Sequence, residues 1–500
     1  MSPKAPINNS SVENASSNVN LLAEGSDEAS TTHHEPNLLV ECSPPQEESE
    51  SAKDRRRIAD MADKACRRAS TKSNVLTRSK VADIALLSIE ELTIGKWLGK
   101  GSFSNVHEIS SIALNDEITI KQTSEGTKIA RNILSSNYLR KQTNREDNSS
   151  NGASNSTCRY AIKFLKKELR QNHNKYAVGT TDLVVEGLFL ASLTHPNIIK
   201  VRGLPEGGVH SMVENHGSNN DTTGIGGYFL ILDRLFDTLS ERIYKHWVKD
   251  HQDVRVHNTG KRENVLDRFL FKGSGGNKMK EAMNSDLAVR VKVAFDISAA
   301  LKYLHEKSII YRDLKPENLG FDDDSSATVR GDIKLFDLGL VKELHPEGRD
   351  RNGNWKLSMA GTPRYMSPEC GLYKPYNLSA DVYSFSMLLW EIITLHQPLK
   401  GFTYSQLKQE VFREGYRPPL KQVWHKELRS LIAVGWHQNP SRRPDMDEIY
   451  IKLKTLYTAL TPGVSEEEIS HDRRRSTYIG NRLSRLSLKH LMAMENREEA

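Results

Sequence analysis

The spacing of apolar residues along the chain predicts two kinds of element. Residues 92–98 alternate apolar and polar side chains, which is typical of a half-buried β-strand. Residues 159–165 and 228–235 are short apolar runs that predict buried strands. In residues 182–193 and 287–305, apolar side chains recur every three or four positions, as on one face of an amphipathic helix. The pattern therefore predicts a mixed region of strands and helices.

Both ends of the chain are polar. The first 52 residues hold nine acidic residues and a single lysine, whereas residues 53–80 hold ten basic residues and three aspartates. Because such a composition buries little apolar surface, we expect residues 1–85 to be a disordered arm, with one short helix at residues 59–68. Residues 461–500 form a polar tail with three serines that closely follow arginine. We interpret these serines as phosphorylation sites, the alternative being a solvated amphipathic helix.

Three further polar or glycine-rich segments interrupt the predicted strands and helices. They cover about residues 107–158, 203–227 and 249–284. Their composition predicts insertions between the elements of a domain that extends from residue 88 to residue 460. Their sequences contain no recognisable chemistry.

Charge and cysteine content narrow the class of protein. The formal net charge is +6 over 500 residues, so the composition does not favour nucleic-acid binding. The four cysteines are scattered, without the spacing of a zinc site or a disulfide framework, which favours a reducing compartment. No apolar run reaches the length of a membrane span, and the first residues lack the apolar stretch of a signal peptide. We therefore expect a cytoplasmic or nuclear protein without a membrane span.

Residues 310–318 concentrate charged and polar side chains. The segment places Asp313 between Arg312 and Lys315, and Asn318 follows closely. Phosphoryl transfer requires such a set: a carboxylate that orients a hydroxyl, a cation near the transferred phosphate and an oxygen ligand for magnesium. This segment is therefore the candidate catalytic loop.

Other positions fit the same chemistry. Gly99 and Gly101 follow the strand at residues 92–98 and would let the backbone approach phosphates. Lys163 interrupts an apolar run, and a buried lysine requires a partner. Glu186 is the candidate partner, because it lies within the helix predicted at residues 182–193.

In their order along the chain, these motifs resemble those of eukaryotic protein kinases. Residues 388–392 and 415–418 are most similar to the tyrosine-kinase-like group of serine/threonine kinases. The resemblance implies a bilobal α+β fold, with a small β-rich N-lobe and a large α-helical C-lobe between disordered arms. It also implies ATP and Mg²⁺ as cofactors and a protein as the substrate.

The resemblance assigns a role to each candidate catalytic residue. Lys163 would hold the α- and β-phosphates, and Glu186 would orient Lys163. Asp313 would accept or align the proton of the substrate hydroxyl. Lys315 would stabilise charge on the γ-phosphoryl group.

The nucleotide and metal sites follow from the same resemblance. Asn318 and Asp337 would hold magnesium. For the protein substrate, Glu317 and Asp237 would attract basic residues near the acceptor hydroxyl. The nucleotide pocket would be lined by Leu98, Gly99, Gly101, Ser102, Val106, Ala161, Lys163, Asp233, Leu235, Asn318 and Asp337.

By the same resemblance, residues 361–369 close the activation segment. Arg312 and two residues of that segment, Ser358 and Thr362, are the candidate regulatory positions. Arg312 precedes the catalytic aspartate, and kinases of that kind usually need a phosphate on the activation segment. Ser358 lies eleven residues before Glu369, at the position of that phosphosite in related kinases. Thr362 would contact Lys315, which is the pattern of serine/threonine kinases. Constitutive activity is the alternative.

Three positions that bear on function depart from the family pattern. Ser104 replaces the third glycine of the glycine-rich loop, residues 99–106. Leu338 replaces a phenylalanine after Asp337. Gly320 stands where a leucine usually lies beneath adenine, and we hypothesise that the Phe336 ring fills that volume. These departures favour an alternative function, a pseudokinase scaffold that recruits partners through its insertions and arms.

Overall fold

The computed structural model describes residues 50–76, 84–121, 124–141, 156–210, 227–248, 275–322 and 331–462. All of them fall within the unit Ser49–Ala500. Helices α1 to α11 are Glu50–Lys72, Asp116–Lys121, Glu125–Ser136, His173–Ser192, Leu239–Glu241, Gly275–Glu306, Pro368–Gly371, Ser379–Thr394, Tyr404–Gln406, Lys426–Gly435 and Met446–Leu460. Strands β1 to β13 are Ala85–Leu87, Leu92–Lys100, Ser104–Ile112, Leu139–Lys141, Ser156–Cys158, Tyr160–Leu165, Val201–Pro205, Phe229–Asp233, Asp237–Thr238, Ile309–Ile310, Leu319–Phe321, Ile333–Leu335 and Lys342–Glu343.

Six strands form the sheet of the N-lobe, in the order β1-β7-β8-β6-β3-β2. β1 runs parallel to β7, whereas the other neighbours are antiparallel. The strands predicted at residues 92–98, 159–165 and 228–235 are β2, β6 and β8, although β8 ends at Asp233. Because β6 lies between β3 and β8, Lys163 is placed in the middle of the sheet.

Helix α4 contributes Glu186 to the same region. The Asn172 side chain caps this helix by accepting a hydrogen bond from the Lys175 backbone N–H at 3.0 Å. Leu183, Glu186 and Leu190 are all buried, as the helical spacing of residues 182–193 predicts. The observed helix begins earlier, at His173, because the cap lies one residue before that position.

The first predicted insertion is partly ordered, which corrects the boundary of residues 107–158. Strand β3 continues to Ile112. Leu134 of helix α3 packs into an apolar cluster that includes Ile109 of β3. Arg131 of α3 is fully buried and pairs with Glu91, with Nη2 at 2.6 Å from Oε1. The polar composition of the segment concealed this packing, because a buried arginine paired with a carboxylate carries no apolar signal.

The other two insertions are shorter than the composition predicted. Strand β7 occupies residues 201–205 and so extends into the segment predicted as an insertion from residue 203. Helix α6 begins at Gly275, inside the segment predicted to extend to residue 284. Residues 142–155, 211–226 and 249–274 lie outside the described residues.

Residues 50–76 correct the prediction of a disordered arm. Helix α1 has 23 residues and buries Ile58, Ala62 and Cys66 in the same apolar cluster as residues of α4. Burial raises the pKa of the Cys66 thiol to about 12, so this cysteine serves packing. The predicted short helix at residues 59–68 is thus the middle of a longer one.

The chain after α1 contacts the start of the activation segment. Ser73 donates a hydrogen bond to the Glu343 carboxylate, and the Asn74 backbone N–H donates to the same carboxylate at 2.9 Å. Glu343 belongs to β13, which pairs with β10 just before the catalytic loop. Residues 1–49, 77–83 and 463–500, including the arginine-led serines of the tail, lie outside the described residues.

The C-lobe is helical and is built around α8. Almost every side chain of this helix is buried, from Ala380 to Ile393. The helix predicted at residues 287–305 forms the C-terminal part of α6. Arg443 forms an ion pair with Glu369, with its two terminal guanidinium nitrogens bound to the carboxylate at 2.6 and 2.9 Å. Within the described ranges, no helix is long and apolar enough to cross a bilayer.

Docking of α1 predicts a contrast between two neighbouring substitutions. Ala62 is fully buried, whereas Met61 is 58% exposed. Ala62→Glu should lower the free energy of unfolding by about 2 kcal/mol or more, because it buries an unpaired carboxylate. Met61→Glu, measured beside it by chemical denaturation, should leave stability nearly unchanged. Equal stability of the two variants would mean that α1 does not dock.

Candidate active site

The site is centred on a buried lysine between two carboxylates. Lys163 Nζ of β6 lies 2.9 and 2.7 Å from the two carboxylate oxygens of Glu186 on α4. It also lies 3.0 Å from Asp337 Oδ1, in the turn after β12. The predicted partnership of Lys163 and Glu186 is confirmed, and the structure adds Asp337 as a second partner.

Electrostatics keep Lys163 and Asp337 ionised. Burial alone would lower the pKa of Lys163, but Glu186 and Asp337 outweigh burial and raise the pKa above its ordinary value. The Lys163 ammonium lowers the pKa of Asp337, and this attraction exceeds the opposing effect of burial. Both groups are therefore charged at neutral pH, as phosphate and metal binding require.

A second cluster surrounds Asp313. Its Oδ1 accepts hydrogen bonds from the Thr362 hydroxyl at 2.7 Å and from the Thr362 backbone N–H at 2.8 Å. Its Oδ2 accepts from Lys315 Nζ at 2.7 Å and from Asn318 Nδ2 at 3.0 Å. Lys315 Nζ also donates to Thr362 Oγ1 at 3.0 Å. The four predicted residues are thus brought together in one hydrogen-bonded group.

Asp381 binds the backbone of the catalytic loop, a role that was not predicted from the sequence. Its carboxylate is fully buried at the start of α8 and accepts the backbone N–H groups of Tyr311 and Arg312, at 2.8 and 2.9 Å. The His305 Nε2 atom lies 2.9 Å from the same carboxylate. An aspartate at the start of a largely apolar helix is the available signal, because a buried carboxylate must have partners.

Tyr311 links the catalytic loop to the turn that carries Asp337. Its hydroxyl donates to the Phe336 carbonyl at 2.5 Å, directly before Asp337. Burial of the ring raises the pKa of Tyr311 well above its ordinary value, so the hydroxyl keeps its proton and remains a donor. Tyrosine thus performs a positioning task at the place where the kinase motif usually has histidine.

Gly361 is required by a close approach of two backbones. Its φ of +101° lies in the region that favours glycine, and a Cβ there would meet the Arg312 carbonyl oxygen at 2.2 Å. The activation segment therefore passes directly against the catalytic loop. This contact places Thr362, the next residue, on Asp313.

The structure also brings together the predicted regulatory pair. Arg312 Nη1 lies 3.4 Å from Ser358 Oγ, and Arg312 Nε donates to the Leu340 carbonyl at 2.6 Å. The Tyr376 hydroxyl holds the Ser358 carbonyl at 2.8 Å. The guanidinium is therefore anchored at one nitrogen and directed toward the serine hydroxyl by another.

Several residues predicted to bind the nucleotide lie on neighbouring strands of the N-lobe sheet. The β2–β3 hairpin carries Leu98, Gly99, Gly101, Ser102 and Val106, and β6 carries Ala161. Val106 pairs with Lys163 across the sheet, so the hairpin lies beside the lysine.

The segment after β8 would contribute backbone groups, as the resemblance implies. The Asp233 side chain pairs with Arg202 at 2.7 and 2.9 Å, so its carboxylate is neutralised. The Arg234 backbone N–H is bound to the Arg159 carbonyl at 2.9 Å. These bonds hold the segment against the sheet. Leu235 is the next of the residues predicted to bind the nucleotide.

Leu235, and not Phe336, occupies the volume next to Gly320. A Cβ at Gly320 would lie 2.8 Å from Leu235 Cδ1 and 3.2 Å from the Asp237 carbonyl oxygen. The hypothesis that the Phe336 ring fills this space is therefore wrong. The reason is the antiparallel pairing of β11 with β9, which brings the Leu235–Asp237 segment against Gly320.

The donor set fits a magnesium ion. Asn318 uses its amide nitrogen to donate to the Asp313 carbonyl at 2.9 Å, so its amide oxygen remains a potential metal ligand. Asp337 supplies a carboxylate whose lowered pKa keeps it ionised. Mg²⁺ prefers hard oxygen ligands and is often held by one or two carboxylates together with phosphates. The described residues contain no cluster of three or more acidic, histidine or cysteine side chains suited to a metal.

Comparison with known proteins agrees with this geometry. The family model described as protein tyrosine and serine/threonine kinase matches residues 141–453, more than half of the 500-residue chain. The chain belongs to this kinase family. The motifs from Lys163 to Glu369 lie within the matched segment, whereas Gly99 and Gly101 precede it.

Several kinases are similar to part of this chain. Serine/threonine/tyrosine-protein kinase HT1 of Arabidopsis thaliana is 36% identical over 185 residues, which cover 37% of this chain and 44% of HT1. Dual specificity protein kinase shkB of Dictyostelium discoideum is 33% identical over 222 residues, covering 43% of this chain and 32% of shkB. Receptor-interacting serine/threonine-protein kinase 1 of Homo sapiens is 31% identical over 225 residues, which cover 42% of this chain and 32% of that kinase. The chain thus matches less than half of each relative's length.

The kinase domain holds a buried acid beneath the end of the activation segment. Glu391 of α8 is fully buried and accepts hydrogen bonds from the hydroxyls of Tyr365, at 2.6 Å, and Tyr244. Burial raises the pKa of Glu391 to about 7, against the effect of the two tyrosine hydrogen bonds. Glu317 adds to the increase, and Arg364 opposes it.

This shift predicts a pH dependence of stability. The pKa of Glu391 is raised in the folded state. Above pH 4.5, the ordinary pKa of glutamate, the unfolded chain releases this proton whereas the folded chain keeps it. Stability should therefore fall as the pH rises from about 4.5 to about 7, by roughly 1.4 kcal/mol per unit at most, and then level off.

Glu391→Gln should remove this dependence, as measured by urea denaturation across the pH range. Glu427→Gln, at an exposed position of α10, is the control and should retain the wild-type profile. An identical profile for wild type and Glu391→Gln would contradict the assignment.

Proposed function

We propose that this chain transfers the γ-phosphoryl group of Mg·ATP to a serine or threonine hydroxyl of a protein. The observation that carries the proposal is the hydrogen-bonded group of Asp313, Lys315, Asn318 and Thr362, with Lys163 paired to Glu186 and Asp337. Such a set of residues can orient a hydroxyl, neutralise phosphate charge and hold a metal. The similarity to kinases of three organisms supports the same activity.

Each group has a task in the proposed transfer. The substrate hydroxyl oxygen forms a bond to the γ-phosphorus while the bond to the bridging oxygen of ADP breaks, and Asp313 takes the hydroxyl proton. Lys315 Nζ lies 2.7 Å from Asp313, and its charge would stabilise the γ-phosphoryl oxygens. Lys163 holds the α- and β-phosphates, because Glu186 keeps its ammonium in place. Asn318 and Asp337 would hold a magnesium ion, which would supply positive charge to neutralise the phosphates.

The acceptor is proposed to be a hydroxyl near basic residues. Glu317, beside the catalytic cluster, is exposed and offers a negative charge to a substrate. Asp237 is less available, because its Oδ2 lies 2.8 Å from Arg242 Nη2. Recognition of basic residues would therefore rest on Glu317, since an ion pair already neutralises Asp237.

Asp313→Asn tests the proposed activity. Transfer of radiolabelled phosphate from ATP to a protein substrate should fall by about 100-fold or more, because the variant loses the proton acceptor. Asp447→Asn, at an exposed position of α11, should retain activity. Equal phosphate incorporation by wild type and Asp313→Asn would favour the scaffold alternative, which rests on Ser104, Leu338 and Gly320.

We also propose that phosphorylation of Ser358 regulates activity. A phosphate there would add about two negative charges beside the Arg312 guanidinium, which already lies 3.4 Å from the hydroxyl. The resulting ion pair would hold the activation segment on the catalytic loop.

Phosphatase treatment should therefore lower the specific activity of the wild type to that of Ser358→Ala. The variant itself should not respond to phosphatase, whereas Ser358→Thr should behave like the wild type. A fully dephosphorylated wild type with undiminished activity would show that Ser358 is not the switch.

A further inference from the structure

The glycine-rich loop is held by a residue that the kinase motifs do not include. Lys166 Nζ donates to the Gly101 carbonyl at 2.6 Å and to the Ser102 carbonyl at 3.0 Å. The Lys166 backbone N–H donates to the Phe103 carbonyl at 2.9 Å. Three consecutive carbonyls of the loop therefore converge on one residue.

The direction of these carbonyls sets the direction of the neighbouring amides. In a trans peptide, the carbonyl of one residue and the N–H of the next point in opposite directions. Because Lys166 Nζ holds the carbonyls of Gly101 and Ser102, the N–H groups of Ser102 and Phe103 are directed away from Lys166. Among the described residues, neither N–H donates a hydrogen bond within the protein. Successive free N–H groups on one side of a turn form an anion-binding concavity.

Other contacts restrain the same loop. The Gly101 N–H donates to the Ser104 carbonyl at 2.8 Å, which closes the turn. The Phe103 side chain packs against α4, where a Cβ at Gly179 would lie 3.3 Å from Phe103 Cβ and 3.2 Å from Leu165 Cδ2. The loop tip is thus anchored to the helix that carries Glu186, and Lys166 is the charged group that orients its peptide planes.

We propose that Lys166 is a positioning residue for nucleotide binding. It fixes the peptide planes of the loop so that the N–H groups of Ser102 and Phe103 are available to the phosphates of ATP. This inference rests on the proposed function, because it assumes that the pocket takes a nucleotide. Its alternatives are that Lys166 stabilises the hairpin without affecting the ligand, or that it contributes positive charge and no specific contact.

The role predicts a difference between ligands with and without phosphates. Lys166→Met keeps the apolar stem and removes the donors. In calorimetric titrations of the full chain, it should weaken the binding of Mg·ADP by about 10-fold, since charged hydrogen bonds orient the loop. Binding of adenosine, which has no phosphate, should change by less than about 2-fold. Lys166→Arg, which retains charge and donors, should restore most of the affinity for Mg·ADP.

Lys167→Met is the matched control, because Lys167 is an exposed neighbour and its loss changes the net charge equally. It should bind both ligands like the wild type. Unchanged Mg·ADP affinity in Lys166→Met, an equal loss for adenosine, or an equal loss in Lys167→Met would each overturn the positioning role. If the wild type binds neither ligand, the proposed kinase function fails as well.

Discussion

The structure depends on the burial of one ammonium group. Lys163 lies in the middle of a sheet, where an unpaired charge would be strongly destabilising. Its two carboxylate partners come from α4 and from the turn after β12, so three separate parts of the chain must meet for the charge to be satisfied. Buried ion pairs often stabilise a fold no better than apolar residues of the same size. The arrangement is therefore better explained by the chemistry that is proposed for Lys163 and Asp337.

The catalytic loop presents a second constraint of the same kind, because its backbone polar groups are buried and need partners. Asp381 satisfies two consecutive N–H groups of the loop from beneath. The Tyr311 hydroxyl satisfies the carbonyl before Asp337, and Gly361 permits the activation segment to lie against the Arg312 carbonyl. Through these contacts, the residues that would act on a substrate hydroxyl share one rigid support with those that would hold phosphates and metal.

Polar composition proved a poor guide to order in this chain. Helix α1 lies in a segment rich in charge, yet a narrow stripe including Ala62 and Cys66 is enough to dock it beside α4. Helix α3 lies in a segment that resembles an insertion, yet Arg131 is fully buried against Glu91. Small side chains and paired charges contribute little to any hydrophobic pattern, which explains why the sequence predicted a disordered arm at the first place and an insertion at the second.

The sequence by itself determined the family, the order of the main strands and helices, and the identity of the residues that carry charge. Those features depend on local spacing and on residue chemistry, which are visible in one dimension. Tertiary structure decided which distant groups satisfy one another. The pairing of β9 with β11 places Leu235 against Gly320, and the end of β6 brings Lys166 to the carbonyls of the glycine-rich loop. Backbone carbonyls carry no sequence signal, so contacts made to them could be found only once the chain was folded.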